Sequence, residues 1–523
     1  MPDSTLTTPP TGGMRTAERE SADSRDLARF GYKQELKRIL GPYSSFAVAF
    51  SYISPSTGIF TLYFLGLSIG GAFFFWSWPL VALGQFIVAL NFAEVSAHFP
   101  VAGSVYQWTK YLSGRGYSWF TGWIYLFAGI LTVTAVDVTV PLVLIPLLNN
   151  VFGLAIPTGT ASGALQAQVI VAAIILITTT ALNIYGVRLV AIVNNTGVVF
   201  EILGMLVFAL VLLIFYHHQS AGVVFNTQEL GSGFGNQAGT FLAAMFMSLF
   251  VIYGFDTAST LAEETNNPRW AAPRAVLAAV IGAFIIGGVF MYSTIIAIPG
   301  DIHKYVADTA AGTVAPPVSI ITSNLPSWAA NLYLFVVFAA IYVCCLAIQT
   351  STIRLAFGMA RDGKLPFGRI YNKVSPTLHT PVGTCLVVGA LAALPLFYYS
   401  GAGIVAIAAT GMIYLSYLLG NLAVLRARLK GWPKADAPFK LGGWGTIINL
   451  LALVWGGSMI VNFLWPRPLS NPALSALPNP VPGTLGNIPI FEATLAIIVI
   501  VGAIYYFAVQ RNKPAAPGER VVA

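Results

Sequence analysis

Three acidic residues stand inside long apolar runs of this chain. Asp256 follows a glycine in the stretch Thr240 to Pro268, TFLAAMFMSLFVIYGFDTASTLAEETNNP. A carboxylate at membrane depth is costly; it faces protein or a water-filled cavity and marks a functional site. Ionised, it only accepts hydrogen bonds, which suits a ligand ammonium, and the rings of Tyr253 and Phe255 could add cation–π contacts. The other role open to Asp256 is to cap the helix that restarts after it. Glu201 lies midway along VNNTGVVFEILGM. Burial favours its neutral acid and a nearby cation favours its carboxylate, so Glu201 could load and release a proton. Two other readings stay open: a structural carboxylate paired with Arg354 or a Ser/Thr of the segment around residue 350, and a sodium ligand acting with the hydroxyls of Thr350 and Ser351. Asp137 is the third acid, and its sequence context gives it no partner.

The apolar run holding Asp256 is interrupted at Gly254. A matching interruption lies about two hundred residues upstream, in FSYISPSTGIF (Phe50 to Phe60), where Pro55 and Gly58 break the pattern and Ser51, Ser54, Ser56 and Thr57 crowd the gap. Two Gly/Pro-interrupted apolar segments in corresponding positions of two halves point to the binding site of a secondary transporter. The expected site is therefore Ser54, Ser56, Thr57 and Gly58 on one side, facing Tyr253, Gly254, Phe255 and Asp256 on the other. The substrate expected from Asp256 is an amine or amino acid carrying a positive nitrogen, with a proton or sodium as coupling ion.

The elements that must position these residues follow from composition. Hydrophobic residues make up 56% of the chain and charged residues 9%, with a mean hydropathy of +0.76. Soluble domains carry about 25% charged residues, so lipid is the expected solvent and the net charge of +8 does not point to nucleic acid. The pattern predicts an all-α integral membrane protein of about 12 spans, at 43–68, 72–97, 116–148, 166–186, 191–216, 239–263, 272–298, 328–358, 380–398, 402–426, 446–465 and 489–510. With both termini cytoplasmic, 25 of the 27 Lys and Arg fall on the cytoplasmic side, leaving only Lys304 and Arg467 outside, as the positive-inside rule demands. The expected location is the plasma membrane, multi-pass. Breaks in spans one and six suggest a LeuT-type 5+5 inverted repeat, 42–217 and 238–430, with two further helices at 440–510. Residues 1–26 read as a disordered tail, Leu27 to Leu40 as an interfacial amphipathic helix (27–41), and 511–523 as a second tail. Glu94, Glu263, Glu264, Arg354 and Arg361 lie toward the cytoplasmic ends, where gating or loop-anchoring ion pairs are expected. Cys344, Cys345 and Cys385 sit in apolar runs without metal-ligand spacing, and no cofactor is expected. Filters or charged rings of a channel, a phosphate-binding loop and a histidine cluster are not visible, so neither a channel, an ATP-driven pump nor an enzyme is expected.

Several motifs resemble the amino acid–polyamine–organocation superfamily. FAEVSAHFPVAGSVYQWTKYLSG is similar to its signature after span two, carried here by Glu94, Pro100, Gly103, Tyr106 and Trp108. RLAFGMARDGKLP resembles its Arg-Asp-Gly-x-x-Pro loop, at Arg361, Asp362, Gly363 and Pro366. YGFDTASTLAEET and ISPSTGIF resemble spans six and one of the amino acid/choline transporter family, which contains γ-aminobutyrate, choline and polyamine permeases. The resemblance implies a permease working by alternating access. It also implies that the first break holds a substrate carboxylate on free backbone N–H groups, although Pro55 here supplies none and only Ser56, Thr57 and Gly58 remain as donors. Glu201 falls where some proton-coupled relatives carry a lysine, in the place of a sodium ion of sodium-coupled ones.

Overall fold

The computed structural model describes residues 23–159, 162–230, 236–398, 402–465, 490–516 and 519. Among them there is no strand, only one isolated parallel bridge between Leu40 and Thr265. In chain order the helices are α1 (Pro42–Ile53), α2 (Pro55–Gly70), α3 (Ser77–His98), α4 (Ser104–Leu112), α5 (Arg115–Asp137), α6 (Val140–Phe152), α7 (Ser162–Tyr185), α8 (Val187–Phe215), α9 (Gln237–Ala244), α10 (Phe246–Val251), α11 (Thr257–Thr260), α12 (Pro268–Ile296), α13 (Ile302–Ala310), α14 (Val318–Asn324), α15 (Ser327–Arg361), α16 (Gly368–Tyr371), α17 (Val382–Ala393), α18 (Ala402–Leu429), α19 (Gly445–Leu464) and α20 (Ile490–Tyr505).

Nine helical stretches among the described residues are long and apolar enough to cross a membrane. Two shorter apolar ones, Gln237–Val251 and Val382–Phe397, accompany them. The stretch Pro42–His98 has 57 residues, about 85 Å if straight, against a hydrocarbon core of about 30 Å. It folds back at the 3-10 turn Gly71–Trp76 and is cut once more at Ser54. The cause of that cut is local. Pro55 has no N–H and disfavours helical backbone in the residue before it. Ser54 adopts φ 35 and ψ 85, and α2 starts afresh with Pro55 in its first turn. The second cut separates α10 from α11, with Gly254 at φ +82.

Packing brings the two cuts together. Helix α10 lies against α2, α12 against α1 and α3, α15 against α8, and α18 against α5. The contact of α2 with α10 is close: a Cβ on Gly58 would stand 2.3 Å from Val251 Cγ2. In Pro42–His98 78% of the most apolar window is buried inside the protein, against 11% in Phe491–Gln510. The first stretch therefore lies at the centre and the last at the periphery, offering Ile497, Ile500 and Ile504 outward.

The amphipathic helix expected over Leu27 to Leu40 is not formed. Helix covers 23–29 only, and 32–40 runs without regular structure. Gly31, at φ +82, ends the helix. Leu27, Tyr32, Leu36 and Leu40 are buried against protein, and the N–H groups of Ile39 and Leu40 both donate to Glu264 O, at 3.0 and 2.9 Å. Tertiary partners for backbone and apolar side chains have overridden a weak local helix preference. Of the expected tails, 1–22 and most of 517–523 lie outside the described residues.

Candidate functional site

The first cut is organised by Glu201, which α8 delivers from the opposite side. Its Oε1 accepts hydrogen bonds from Ser54 Oγ at 2.7 Å, Ser56 Oγ at 2.6 Å and Ser56 N at 3.3 Å. Thr57 N–H donates to Ser54 Oγ at 3.4 Å, and Gly58 N–H to Ser54 O at 3.2 Å. A helix start presents unpaired N–H groups and the positive end of its dipole, and here a buried carboxylate meets them.

The partners expected for Glu201 lie elsewhere. Arg354 donates to Glu264 Oε1 from Nε at 3.1 Å and from Nη2 at 2.9 Å. Thr350 donates to Asn183 Oδ1 at 2.7 Å and to Leu346 O at 2.6 Å. Ser351 Oγ accepts from Thr257 Oγ1 at 3.2 Å. The helical period explains the separation: hydroxyls on consecutive residues of α15 point about 100° apart, toward α7 and toward α11. The set of Glu201, Thr350 and Ser351 is therefore not assembled as one site.

Asp256 also departs from expectation. It is fully buried. Its Oδ2 accepts from Ser104 Oγ at 2.6 Å and Tyr125 OH at 2.5 Å, and its Oδ1 from Tyr417 OH. Its side chain does not cap α11. Three hydroxyls from α4, α5 and α18 hold the carboxylate, so it is neither the expected cap nor an open partner for a ligand ammonium. Phe255 points away as well, packing on Tyr417 with ring centroids 5.3 Å apart. Gly254 is where the backbone must approach a ring: its N–H donates to Tyr417 OH at 2.9 Å, and an added Cβ would lie 1.9 Å from Tyr52 Cδ1.

Between the cuts lies a small cavity of about 10 Å³. Its lining is Tyr52, Ile53, Thr57 and Gly58 from the first cut, Phe250 and Tyr253 from the second, Thr132 and Val136 from α5, and Cys344 and Ile348 from α15. Three of the eight expected binding residues, Thr57, Gly58 and Tyr253, line it. No lining side chain is charged. Thr132, Val136, Cys344 and Ile348 carry no direct sign in the sequence and read as ordinary apolar-helix residues; Tyr52 and Ile53 are marked only by standing next to the break.

One face of the bundle carries a group of ion pairs. Arg361 makes a two-point pair with Glu263, at 2.9 and 2.7 Å, and the same carboxylate accepts from Ala102 N at 3.1 Å. Arg354 pairs with Glu264, and Arg428 with Glu94. Lys110 pairs with Asp362 at 2.8 Å with both side chains buried. Tyr106 OH and Tyr32 OH also donate to Asp362, at 2.8 and 2.7 Å. All five acidic and basic residues expected near one membrane face are thus in buried pairs. Lys110 and Asp362 belong with them, and both stood inside motifs singled out by resemblance. The 32–40 segment crosses this face: Arg361 stacks 4.0 Å over the Tyr32 ring, and Arg38 Nη1 donates to Ala262 O and Thr265 O. Asp137 remains apart from both breaks, with the Cys345 thiol beside its carboxylate.

Comparison with known proteins agrees with this architecture. A family model described as amino acid permease matches residues 40–501. The chain is 27% identical over 485 residues to the amino-acid permease BAT1 homolog of Oryza sativa subsp. japonica, covering 88% of this chain and 91% of that one. It is 27% identical over 483 residues to the amino-acid permease BAT1 of Arabidopsis thaliana, covering 87% and 91%. It is 28% identical over 375 residues to the branched-chain amino acid permease BcaP of Bacillus subtilis (strain 168), covering 70% and 76%.

Proposed function

We propose, from the premise that the chain belongs to the amino acid permease family, that it carries an amino acid with an uncharged side chain across the plasma membrane by alternating access, coupled to protons. The observation that carries this reading is the small cavity between two helix breaks, lined by hydroxyls, one thiol and apolar groups and by no charged side chain. A substrate carrying several ammonium groups, such as a polyamine, needs an anion. Asp256, the acid expected to serve it, is already held by three hydroxyls. The first break supports a substrate with a carboxylate, because α2 begins there and points its positive end at the site. Glu201 at that break supports the proton as coupling ion, as does the bonding of Thr350 and Ser351 to other partners.

The same reading takes the protein as twelve spans, with two inverted repeats at 42–217 and 238–430 and two further helices at 440–510. The breaks in Pro42–His98 and between α10 and α11 support it. The face of the paired charges is cytoplasmic, as are both termini, which places 25 of 27 basic residues inside. The buried pairs of Glu263, Glu264 and Glu94 then form the inner gate, closed in this conformation.

Purified protein in proteoliposomes, with pH and sodium gradients imposed separately, tests the reading. Neutral L-amino acids should accumulate under an acid-outside gradient, and choline and putrescine should not. Accumulation of choline or putrescine alone, or strict dependence on sodium, would overturn it.

A further inference from the structure

The start of α2 already holds a carboxylate. Pro55 has no N–H. Ser56 N–H goes to Glu201, Thr57 N–H to the Ser54 hydroxyl, and Gly58 N–H to the Ser54 carbonyl. Both serine hydroxyls add donors to the same Glu201 oxygen. Every donor that this helix end could offer an incoming carboxylate is thus in use, and the occupant is a side chain 147 residues further along the chain.

Among the described residues, no side-chain cation balances a second anion at this point. Arg354 is committed to Glu264. From α15 the titratable groups facing Glu201 are Tyr333 and Cys344. Helices α1, α2 and α7 contain no Lys, Arg, Asp or Glu, and α12 carries only Arg269 and Arg274 in its first two turns. Two unit negative charges at one buried helix end repel strongly, because little water screens them. Like charges sharing a site force one of them to take up a proton.

We propose that Glu201 is a tethered stand-in for the substrate's carboxylate. An ionised Glu201 and a bound amino-acid carboxylate exclude one another at the start of α2, so each amino acid binds together with one proton, taken from water onto a Glu201 oxygen. The protonated acid keeps an O–H to donate and gives up its claim on the backbone N–H. After the substrate leaves, loss of that proton lets Glu201 reoccupy the helix end and hold the empty carrier together. This rests on the amino-acid reading above and adds to it the order of events and the proton count.

The sign follows from linkage. Binding requires the protonated form, so affinity is full at low pH. Above the Glu201 pKa, the dissociation constant should rise about tenfold per pH unit. The experiment is calorimetric titration of the full-length protein with a panel of neutral L-amino acids, in two buffers of different ionisation enthalpy, across pH 5 to 9. Wild type should take up close to one proton per amino acid bound at the high end of that range. Glu201→Gln should bind with no proton uptake and a flat pH profile at the wild-type low-pH affinity. Ser56→Ala, which removes one donor to the carboxylate and leaves the acid in place, should move the midpoint of the affinity profile to higher pH. It also serves if Glu201→Gln does not fold. Decarboxylated counterparts such as isopentylamine should bind at least tenfold more weakly than their amino acids. Amino-acid binding without proton uptake in wild type, or an unchanged pH profile in Glu201→Gln and Ser56→Ala, would overturn this inference alone. Tight binding of the amines, with no binding of any amino acid, would overturn the amino-acid reading and this one with it.

Discussion

The two helix breaks face each other across one cavity, yet they use their carboxylates in opposite ways. The first contains no acid of its own and imports one, Glu201, which meets backbone N–H and serine hydroxyls at a helix start. The second contains Asp256 and exports it, turning the carboxylate out of the cavity toward Ser104, Tyr125 and Tyr417. An acid beside a break therefore need not serve that break. Glu201 sits on donors a ligand could claim, whereas Asp256 fastens three helices to the broken one. The first is suited to change partners during a cycle and the second to stay fixed.

The comparison can be broken most severely at the second break's backbone. Gly254→Val puts a β-branched residue at φ +82 and a Cβ 1.9 Å from the Tyr52 ring. We expect no monodisperse protein on size exclusion from detergent, while Gly457→Val, with open space around it, should elute as wild type. Next is the buried ion pair of Arg354 with Glu264. Arg354→Leu strands the buried Glu264 and should cost about 3–5 kcal/mol, read as a large fall in thermal unfolding temperature. Arg354→Leu with Glu264→Leu should recover part of it. The sharpest contrast has the smallest effect. Tyr125→Phe removes one donor from Asp256 and should cost about 1 kcal/mol in unfolding measurements, as interhelical hydrogen bonds in membranes do. Its amino-acid affinity should keep the wild-type dependence on pH. Should Tyr125→Phe shift that dependence as Ser56→Ala is expected to, the division between a fixed and an exchanging carboxylate fails.

Much of this arrangement could be read from residue types alone. The breaks at Pro55 and Gly254 are local chemistry, and the composition leaves few solvents but lipid. The importance of Glu201 and Asp256 followed from the cost of acids at membrane depth. Their partners did not follow. Ser104, Tyr125 and Tyr417 lie 152, 131 and 161 residues from Asp256; Ser104 stood inside a motif singled out by resemblance, but nothing in the surroundings of the two tyrosines distinguishes them from other hydroxyls. Arg354 offered itself to Glu201 by charge, but helix packing gave it to Glu264. The segment 27–40 carries a helical spacing of apolar residues, and its fate was decided by a surface made of residues 262–265 and 362.

The segment 27–40 docks on residues that are made long after it. Tyr32 and Arg38 are synthesised before their partners Thr265 and Asp362, which lie 227 and 330 residues later. At about 5–20 residues per second, the segment waits roughly 15–65 seconds at the membrane surface before its docking site exists. During that interval its buried leucines have no protein to cover them. Seating it is a late step of maturation, after the helices that carry its partners have been inserted and have come together.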